Sequence, residues 1–123
     1  MTLVFGGVQR LEAVGGGMLK ARWNEATGGT VDFYNIYIRN GNSSVFSSTY
    51  LWKKVAADKR NVLIRMEADG ITFLRNENTY FVGIRAEETG GVEEANTIVK
   101  SLSPLGDGST PLEAPDRKIA KVI

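Results

Sequence analysis

One stretch of the chain, residues 74–86, constrains the fold more than any other. It reads Leu-Arg-Asn-Glu-Asn-Thr-Tyr-Phe-Val-Gly-Ile-Arg-Ala, so polar turn-forming residues lead directly into an apolar segment. Side chains alternate between the two faces of a strand. Tyr80, Val82 and Ile84 therefore share one face and are predicted to lie in a core. The interval between Leu74 and Tyr80 predicts a tyrosine corner, in which a buried tyrosine hydroxyl bonds the backbone a few residues upstream.

Short strands separated by turn signals account for most of the chain up to residue 102. Residues 18–23 alternate apolar with basic side chains, and residues 33–39 are rich in aromatic and β-branched residues. Turn-forming residues separate such segments at intervals of roughly 8–12 residues, and no long helical pattern comes between them. The chain is therefore predicted to be all-β, an antiparallel β-sandwich of about seven strands.

Several local expectations concern the ends of these strands. Asn40-Gly41 predicts a two-residue hairpin that pairs the preceding strand with Val45-Phe46. Residues 49–60 allow a short helical turn or an irregular crossing, and the crossing is preferred. Residues 3–14 are predicted to form an edge strand with a glycine kink. Residues 92–102 are predicted to form the last strand.

The segments together resemble a fibronectin type III domain over about residues 8–102. Trp23 ends the second strand, Tyr34-Asn35-Ile36-Tyr37 lies in the third, and the Leu74–Tyr80 corner opens the central strand. The resemblance implies an immunoglobulin-like sandwich over residues 1–102 with Trp23 and Tyr80 in its core. The corner has two asparagines where the family usually has proline and threonine. The predicted core residues are Trp23, Tyr34, Ile36, Leu74, Tyr80, Val82 and Ile84.

The composition of the chain changes after residue 102. Glycine, proline and small polar residues dominate residues 103–111, as is typical of a linker, and the chain then ends in an apolar segment. A strand beyond a linker cannot bury its own apolar side chains. It frays, folds back onto its own sandwich, or adds to the sheet edge of a neighbouring subunit. Residues 103–123 are thus predicted to form a linker and an extended C-terminal arm. Its predicted partner-binding residues are Leu112, Ile119, Val122 and Ile123.

The composition argues against catalysis. The chain has no cysteine and no histidine, which excludes disulfides, thiolate zinc sites and the common nucleophile–base pairs. The acidic pairs Glu87-Glu88 and Glu93-Glu94 are predicted to form a solvated loop rather than a calcium or acid–base site. Phe33, Tyr37 and Phe81 allow a sugar-stacking or protein-contact face, with cross-strand packing as the default. No catalytic residue, cofactor or metal is predicted.

Charge and hydropathy narrow the range of partners. The chain carries 15 basic and 14 acidic residues, a formal net charge of +1, so no large electrostatic field attracts nucleic acid or an anionic membrane. No segment reaches the ~18 consecutive apolar residues of a membrane helix. The first residues lack a basic leader and a long apolar run, and no signal peptide is expected. Neither nucleic-acid binding nor membrane insertion is predicted.

These features lead to two hypotheses about function. The first is a structural protein of a bacteriophage virion, assembled in the host cytoplasm as a head decoration or cement protein or as a tail or baseplate connecting protein. It would act through contacts with other virion proteins and with copies of itself. Small virion proteins of this kind often use terminal arms, as the resemblance implies. The alternative is a bacterial carbohydrate- or cell-surface-binding accessory module.

Overall fold

A computed structural model describes residues 3–104, which form two antiparallel β-sheets that share one core. The prediction of an all-β chain with about seven antiparallel strands is confirmed. A 3-10 turn, Ser48–Tyr50, lies directly before the fourth strand. The strands of this described part are β1 (Arg10–Val14), β2 (Met18–Arg22), β3 (Val31–Asn40), β4 (Leu51–Ala56), β5 (Asn61–Ile64), β6 (Tyr80–Glu88) and β7 (Val99–Leu102).

The strand order divides the chain between a three-stranded and a four-stranded sheet. The first has the order β1-β2-β5 and the second the order β4-β3-β6-β7. The two longest strands, β3 and β6, pair along most of their lengths, with Tyr34 opposite Ala86 and Asn40 opposite Tyr80. Strand β6 is therefore an inner strand of its sheet, and its apolar face is covered by the three-stranded sheet.

The core lies between the sheets and follows the alternation of side chains along the strands. In β6, the residues from Tyr80 to Ala86 that face inward have no solvent exposure. In β2 and β5, Leu19 and Ile64 are likewise fully buried and lie opposite each other across the ladder. The residues predicted to form the core are all between 0% and 8% exposed: Trp23, Tyr34, Ile36, Leu74, Tyr80, Val82 and Ile84.

The turn into β6 has the geometry of a tyrosine corner. The Tyr80 hydroxyl accepts a hydrogen bond from the backbone N–H of Arg75 at 2.9 Å, while the Tyr80 ring is fully buried. A buried phenol needs a polar partner, and a turn offers backbone groups that no ladder uses. The backbone N–H of Leu74 donates to the carbonyl oxygen of Arg65 at 3.0 Å, which fixes the start of the corner.

The connection after β3 differs from the prediction. Gly41 does not close a two-residue hairpin. Its N–H donates to the Thr79 carbonyl oxygen at 2.9 Å, and the chain continues as a loop to β4. The loop does not pair with β3, because Val45 and Phe46 pack over the outer face of the four-stranded sheet at Gly83. The segment expected to cross irregularly forms the strand β4, which pairs with β3 and has one register shift, opposite Ile36 and Tyr37.

The first and last strands are shorter than predicted. Regular pairing begins only at Arg10, and Val4 forms an isolated bridge with Thr27. The last strand, predicted from residue 92, begins at Val99. Before it, Val92 and Glu94 keep backbone hydrogen bonds with Glu88 and Ala86 of β6. Beyond them a side chain takes over, and the Asn96 amide donates to the Ile84 carbonyl oxygen at 2.8 Å. The pattern of apolar residues in a sequence does not show where a side-chain hydrogen bond takes the place of a backbone one.

Candidate binding surfaces

A cluster of polar side chains lies on the outer face of the four-stranded sheet, where β4, β3 and β6 run side by side. Asn35, in the middle of β3, is 2% exposed. Its Nδ2 donates to Glu87 Oε1 at 3.0 Å and to Glu93 Oε2 at 2.7 Å. Lys54 Nζ donates to the same Glu87 oxygen at 2.5 Å, and the Tyr37 hydroxyl donates to Glu93. A single carboxamide therefore holds two carboxylates together.

The charges within this polar cluster largely neutralise one another. Arg85 Nη1 lies 3.8 Å from Glu93 Oε1, and Lys54 is paired with Glu87. The hydrogen bond from Lys54, followed by the one from Asn35, holds the pKa of Glu87 below its usual range. Burial, reinforced by the hydrogen bond to Glu93, raises the pKa of Tyr37. At neutral pH Glu87 is thus a carboxylate and Tyr37 a phenol.

The loop between β3 and β4 covers part of the same sheet face. Val45 is fully buried, and a Cβ atom at Gly83 would lie 2.9 Å from its Cγ2. The Phe46 ring meets the Tyr37 ring edge to face, with centroids 5.3 Å apart. The guanidinium of Arg85 lies 4.0 Å from the centroid of the Phe46 ring. The outer face of this sheet is therefore closed in part by the chain itself.

The structure bears on two expectations about this face. Among Phe33, Tyr37 and Phe81, for which packing was the default and an exposed aromatic face the alternative, Tyr37 is only 6% exposed and packs beneath the loop. The acidic pairs are not a freely solvated loop, because the side chains of Glu87 and Glu93 are 13% and 24% exposed. Acidic residues next to a hairpin are expected to face water. Here Glu87 and Glu93 lie on the sheet instead, because both accept hydrogen bonds from the buried carboxamide of Asn35.

Sequence reasoning missed Asn35 and Lys54 as members of this cluster. A signal was present for the first: Asn35 lies between Tyr34 and Ile36 in a strand rich in aromatic and β-branched residues. Buried polar side chains are nearly always hydrogen-bonded, so an asparagine at such a position requires polar partners from other strands. The identity of those partners depends on the register between strands, which the sequence does not give.

Neither a metal site nor a membrane span is found in the described residues. Within residues 3–104, no three or more acidic side chains come close enough together to hold a metal ion. No helix in that part of the chain is long and apolar enough to cross a membrane. The polar cluster of β3, β4 and β6 is best described as a set of paired charges around a buried carboxamide.

The second candidate surface is a short hairpin, residues 66–73, between β5 and the tyrosine corner. Met66 and Phe73 pair as an isolated antiparallel bridge at its base. Ile71 is 78% exposed and Phe73 is 63% exposed, although both are large apolar side chains. These two side chains, two residues apart on one hairpin, form an exposed apolar patch suited to contact with another protein.

Asp69 organises the turn of this hairpin. Its Oδ1 accepts hydrogen bonds from the backbone N–H groups of Ile71 at 2.8 Å and of Thr72 at 2.9 Å. Its Oδ2 accepts from the Thr72 hydroxyl at 2.6 Å. These bonds, the one from the Thr72 hydroxyl most of all, lower the pKa of Asp69 from its ordinary value of 3.8. The carboxylate thus fixes the backbone that presents the apolar patch.

Acidification is expected to loosen this turn only below pH 3.8, the ordinary pKa of an aspartate. Because the pKa is lower in the folded than in the unfolded state, the carboxylate stabilises the turn fully above pH 3.8. That stabilisation is lost as the pH falls through the folded-state pKa. An NMR titration of the Ile71 and Thr72 amides should give a midpoint below 3.8, and Thr72→Val should raise it. A wild-type midpoint at or above 3.8 would contradict the assignment.

The described chain ends at the same end of the sandwich as this hairpin. Leu102, the last residue of β7, lies opposite Tyr80, and the Ser103 hydroxyl lies 3.1 Å from the Thr79 hydroxyl. The hairpin leads through the tyrosine corner to the same end of β6. Residues 105–123 thus follow from the end of the sandwich that carries Ile71 and Phe73. The predicted partner-binding residues lie outside the described residues: Leu112, Ile119, Val122 and Ile123.

Comparisons with known proteins give a likeness of fold. No protein-family model matches the chain, and a search of curated proteins finds no match. Among solved structures, the chain is similar to part of the Clostridium perfringens spore cortex lytic enzyme SleM, with a TM-score of 0.50 and 11% identity. The match covers 79% of this chain and spans 27% of the enzyme's chain. Identity this low makes the likeness one of fold alone.

Proposed function

We propose that this chain is a structural protein of a bacteriophage virion that acts through protein–protein contacts. It would serve as a head decoration or cement protein, or as a tail or baseplate connecting protein. The observation that carries the proposal is the apolar patch of Ile71 and Phe73, exposed at the end of the sandwich from which residues 105–123 follow. Large exposed apolar side chains on a projecting hairpin suit a surface that a neighbouring protein covers.

The same proposal includes a fibronectin type III-like sandwich. The strand order β1-β2-β5 against β4-β3-β6-β7 supports it, because two antiparallel sheets of three and four strands are what this type of sandwich requires. The buried Trp23 and the corner at Tyr80 support it as well. In this arrangement the loops at both ends of the sandwich are available for contacts, while the strands supply rigidity.

The C-terminal arm is proposed to dock on neighbouring subunits, either other virion proteins or copies of this chain. Deleting residues 111–123 is expected to abolish incorporation of the protein into particles. The deletion removes the predicted partner-binding side chains but leaves every residue of both sheets in place. A phage genome carrying this deletion should yield particles in which mass spectrometry does not detect the protein. The shortened protein should keep the thermal unfolding midpoint of the full chain.

A matched variant separates the apolar contacts from the length of the arm. Replacing the four predicted partner-binding residues with serine keeps the length and should prevent incorporation as the deletion does. Replacing Lys118 and Lys121 with serine should leave incorporation unchanged. Normal incorporation of the deletion protein would refute docking through the arm, and particles that never contain the full-length protein would refute the virion role.

An alternative function, a bacterial carbohydrate- or cell-surface-binding accessory module, is favoured by one feature. An open groove of about 480 Å³ lies between the β3–β4 loop and the start of β7. Its lining includes Tyr50 and Arg39 together with hydroxyl groups from Ser43, Ser47 and Thr97, a mixture suited to a sugar.

Binding assays decide between the two functions. Under the alternative, the purified protein should bind polysaccharide on a glycan array, and Tyr50→Ala should abolish that binding. Tyr37, which lies beneath the loop, is a poor position for the same test because its replacement would disturb packing. Under the virion proposal no glycan is bound and particles contain the protein.

A further inference from the structure

Three side chains of the polar cluster form an arrangement with reactive chemistry of its own. Lys54 of β4 and Asn35 of β3 lie directly opposite each other in the ladder, and Glu87 belongs to β6 on the other side of β3. The Lys54 side chain reaches across β3, so that its Nζ lies 2.5 Å from Glu87 Oε1. The same oxygen accepts from Asn35 Nδ2 at 3.0 Å. A primary amine and a carboxamide thus share one carboxylate oxygen.

We propose that Lys54 and Asn35 become joined by an intramolecular isopeptide bond, with Glu87 as the group that carries the protons. The Lys54 ammonium gives a proton to Glu87, and the neutral amine attacks Cγ of Asn35. The bond between Nζ and Cγ forms, and the bond between Cγ and Nδ2 breaks. The two protons lost by Nζ pass through Glu87 to Nδ2, which leaves as ammonium. No oxidant, reductant or other reactant is needed.

The surroundings of Asn35 favour attack by the amine over attack by water. The residue is 2% exposed, so solvent has little access to Cγ, whereas Lys54 Nζ already lies over the strand. A second carboxylate, that of Glu93, accepts from Nδ2 at 2.7 Å and restrains rotation of the carboxamide. Holding the two reacting groups in place converts a bimolecular step into an effectively unimolecular one.

Two further observations distinguish this asparagine from an ordinary structural one. Asparagine is disfavoured inside strands, and Asn35 Oδ1 is buried without a hydrogen-bond partner among the described residues. A buried polar atom without a partner costs free energy. The hydrogen bonds of Asn35 alone therefore do not explain why an asparagine occupies this position. The Lys54 side chain is 42% exposed, and its Nζ lies 5.6 Å from the centroid of the Phe33 ring.

The reaction is expected to be slow and to go to completion. Only molecules in which a proton of the ion pair has moved from Lys54 to Glu87 can react, which makes the reaction slow. The proton shift needs no rearrangement, because the two groups are already hydrogen-bonded. Ammonium diffuses away after bond cleavage, which makes the step effectively irreversible. A single event per molecule is enough, so a low rate does not prevent full conversion after folding.

The mass of the purified full-length chain tests the proposal directly. The wild-type protein should be lighter than its sequence mass by one ammonia molecule. Tryptic digestion should give a branched peptide that joins the Asn35 peptide to the Lys54 peptide. A wild-type protein that retains its sequence mass after prolonged incubation in the folded state would overturn the proposal.

Variants identify the atoms involved. Lys54→Arg keeps the positive charge beside Glu87 but provides no reactive amine, and Glu87→Gln removes the proton carrier. Both should show the full sequence mass. Lys53→Arg, a matched change at the exposed neighbouring position of β4, should retain the loss of ammonia. A loss of ammonia that persists in Lys54→Arg would place the reaction elsewhere and refute the assignment. The readout is independent of incorporation into particles, so it can fail while the proposed function holds, and the reverse is also true.

Discussion

Replacing Tyr34 with alanine is expected to lower the free energy of unfolding by about 3–5 kcal/mol. Tyr34 is fully buried, and its ring centroid lies 5.3 Å from that of Phe5 and 5.4 Å from that of Trp23. Its hydroxyl accepts a hydrogen bond from the backbone N–H of Ala26 at 3.0 Å. Alanine removes the ring from the space between the sheets and leaves that N–H without its partner, so both losses act together.

A matched variant, Tyr34→Phe, separates the ring from the hydroxyl. It keeps the aromatic packing and is expected to cost about 1–3 kcal/mol, the range for a buried donor that loses its partner. Urea unfolding followed by tryptophan fluorescence measures both values. The m-value, which is the slope of the unfolding free energy against urea concentration, should be the same in both variants as in the wild type. Equal losses in the two variants would mean that the ring contributes nothing, in contradiction to its place in the core. Domains of this size are stable by only about 5–15 kcal/mol, so the loss expected of the alanine variant is a large fraction of the total.

The core was predictable because its pattern is local and its period is two. Tyr80, Val82 and Ile84 can face a core together only in a strand, and the polar turn before them fixes where that strand begins. The same holds for Leu19 and Trp23, where basic side chains alternate with apolar ones. Burial on one face decides the register strongly, since a slip by one residue would expose every apolar side chain.

The connections were predicted less well because distant parts of the chain decide them. Asn40-Gly41 is a strong local turn signal, yet Gly41 bonds Thr79 and the chain extends into a loop. The loop takes this path because Val45 and Phe46 fill the space over Gly83, which has no side chain. The residues around Asn40 do not show that Gly83 will lie there. Long-range packing therefore overrides the preference of a dipeptide.

The polar cluster was not predictable for a related reason. Asn35 lies opposite Lys54 on one side and Arg85 on the other, and both pairings follow from sheet register. Glu87 and Glu93 lie on either side of a turn, and adjacent acidic pairs in such a place resemble ordinary solvated residues. Only the fold shows that Glu87 and Glu93 turn onto the sheet and bond the same carboxamide.

Replacing Gly83 with alanine is expected to destabilise the protein by about 1–3 kcal/mol, although alanine usually stabilises a strand relative to glycine by roughly 0.5–1 kcal/mol. The added Cβ would lie 2.5 Å from Phe46 Cζ and 2.9 Å from Val45 Cγ2. Phe46 can swing outward, but it then loses its contact with Tyr37. Val45 is fully buried and can move only with its loop. The overlap therefore outweighs the gain in backbone entropy, and the loop opens.

Cleavage by chymotrypsin after Phe46 reports the opening, because a protease cuts a segment only when it leaves the surface of the fold. Gly83→Ala should be cut there several-fold faster than the wild type. Gly6→Ala is the matched control, since a Cβ at Gly6 meets nothing within 4 Å, and its unfolding free energy should change by no more than about 0.5 kcal/mol. A Gly83→Ala protein as stable and as resistant as the wild type would mean that the loop does not pack on β6. In that case burial beneath the loop could no longer explain why Tyr37 is shielded, and the outer face of the sheet would be open to ligands.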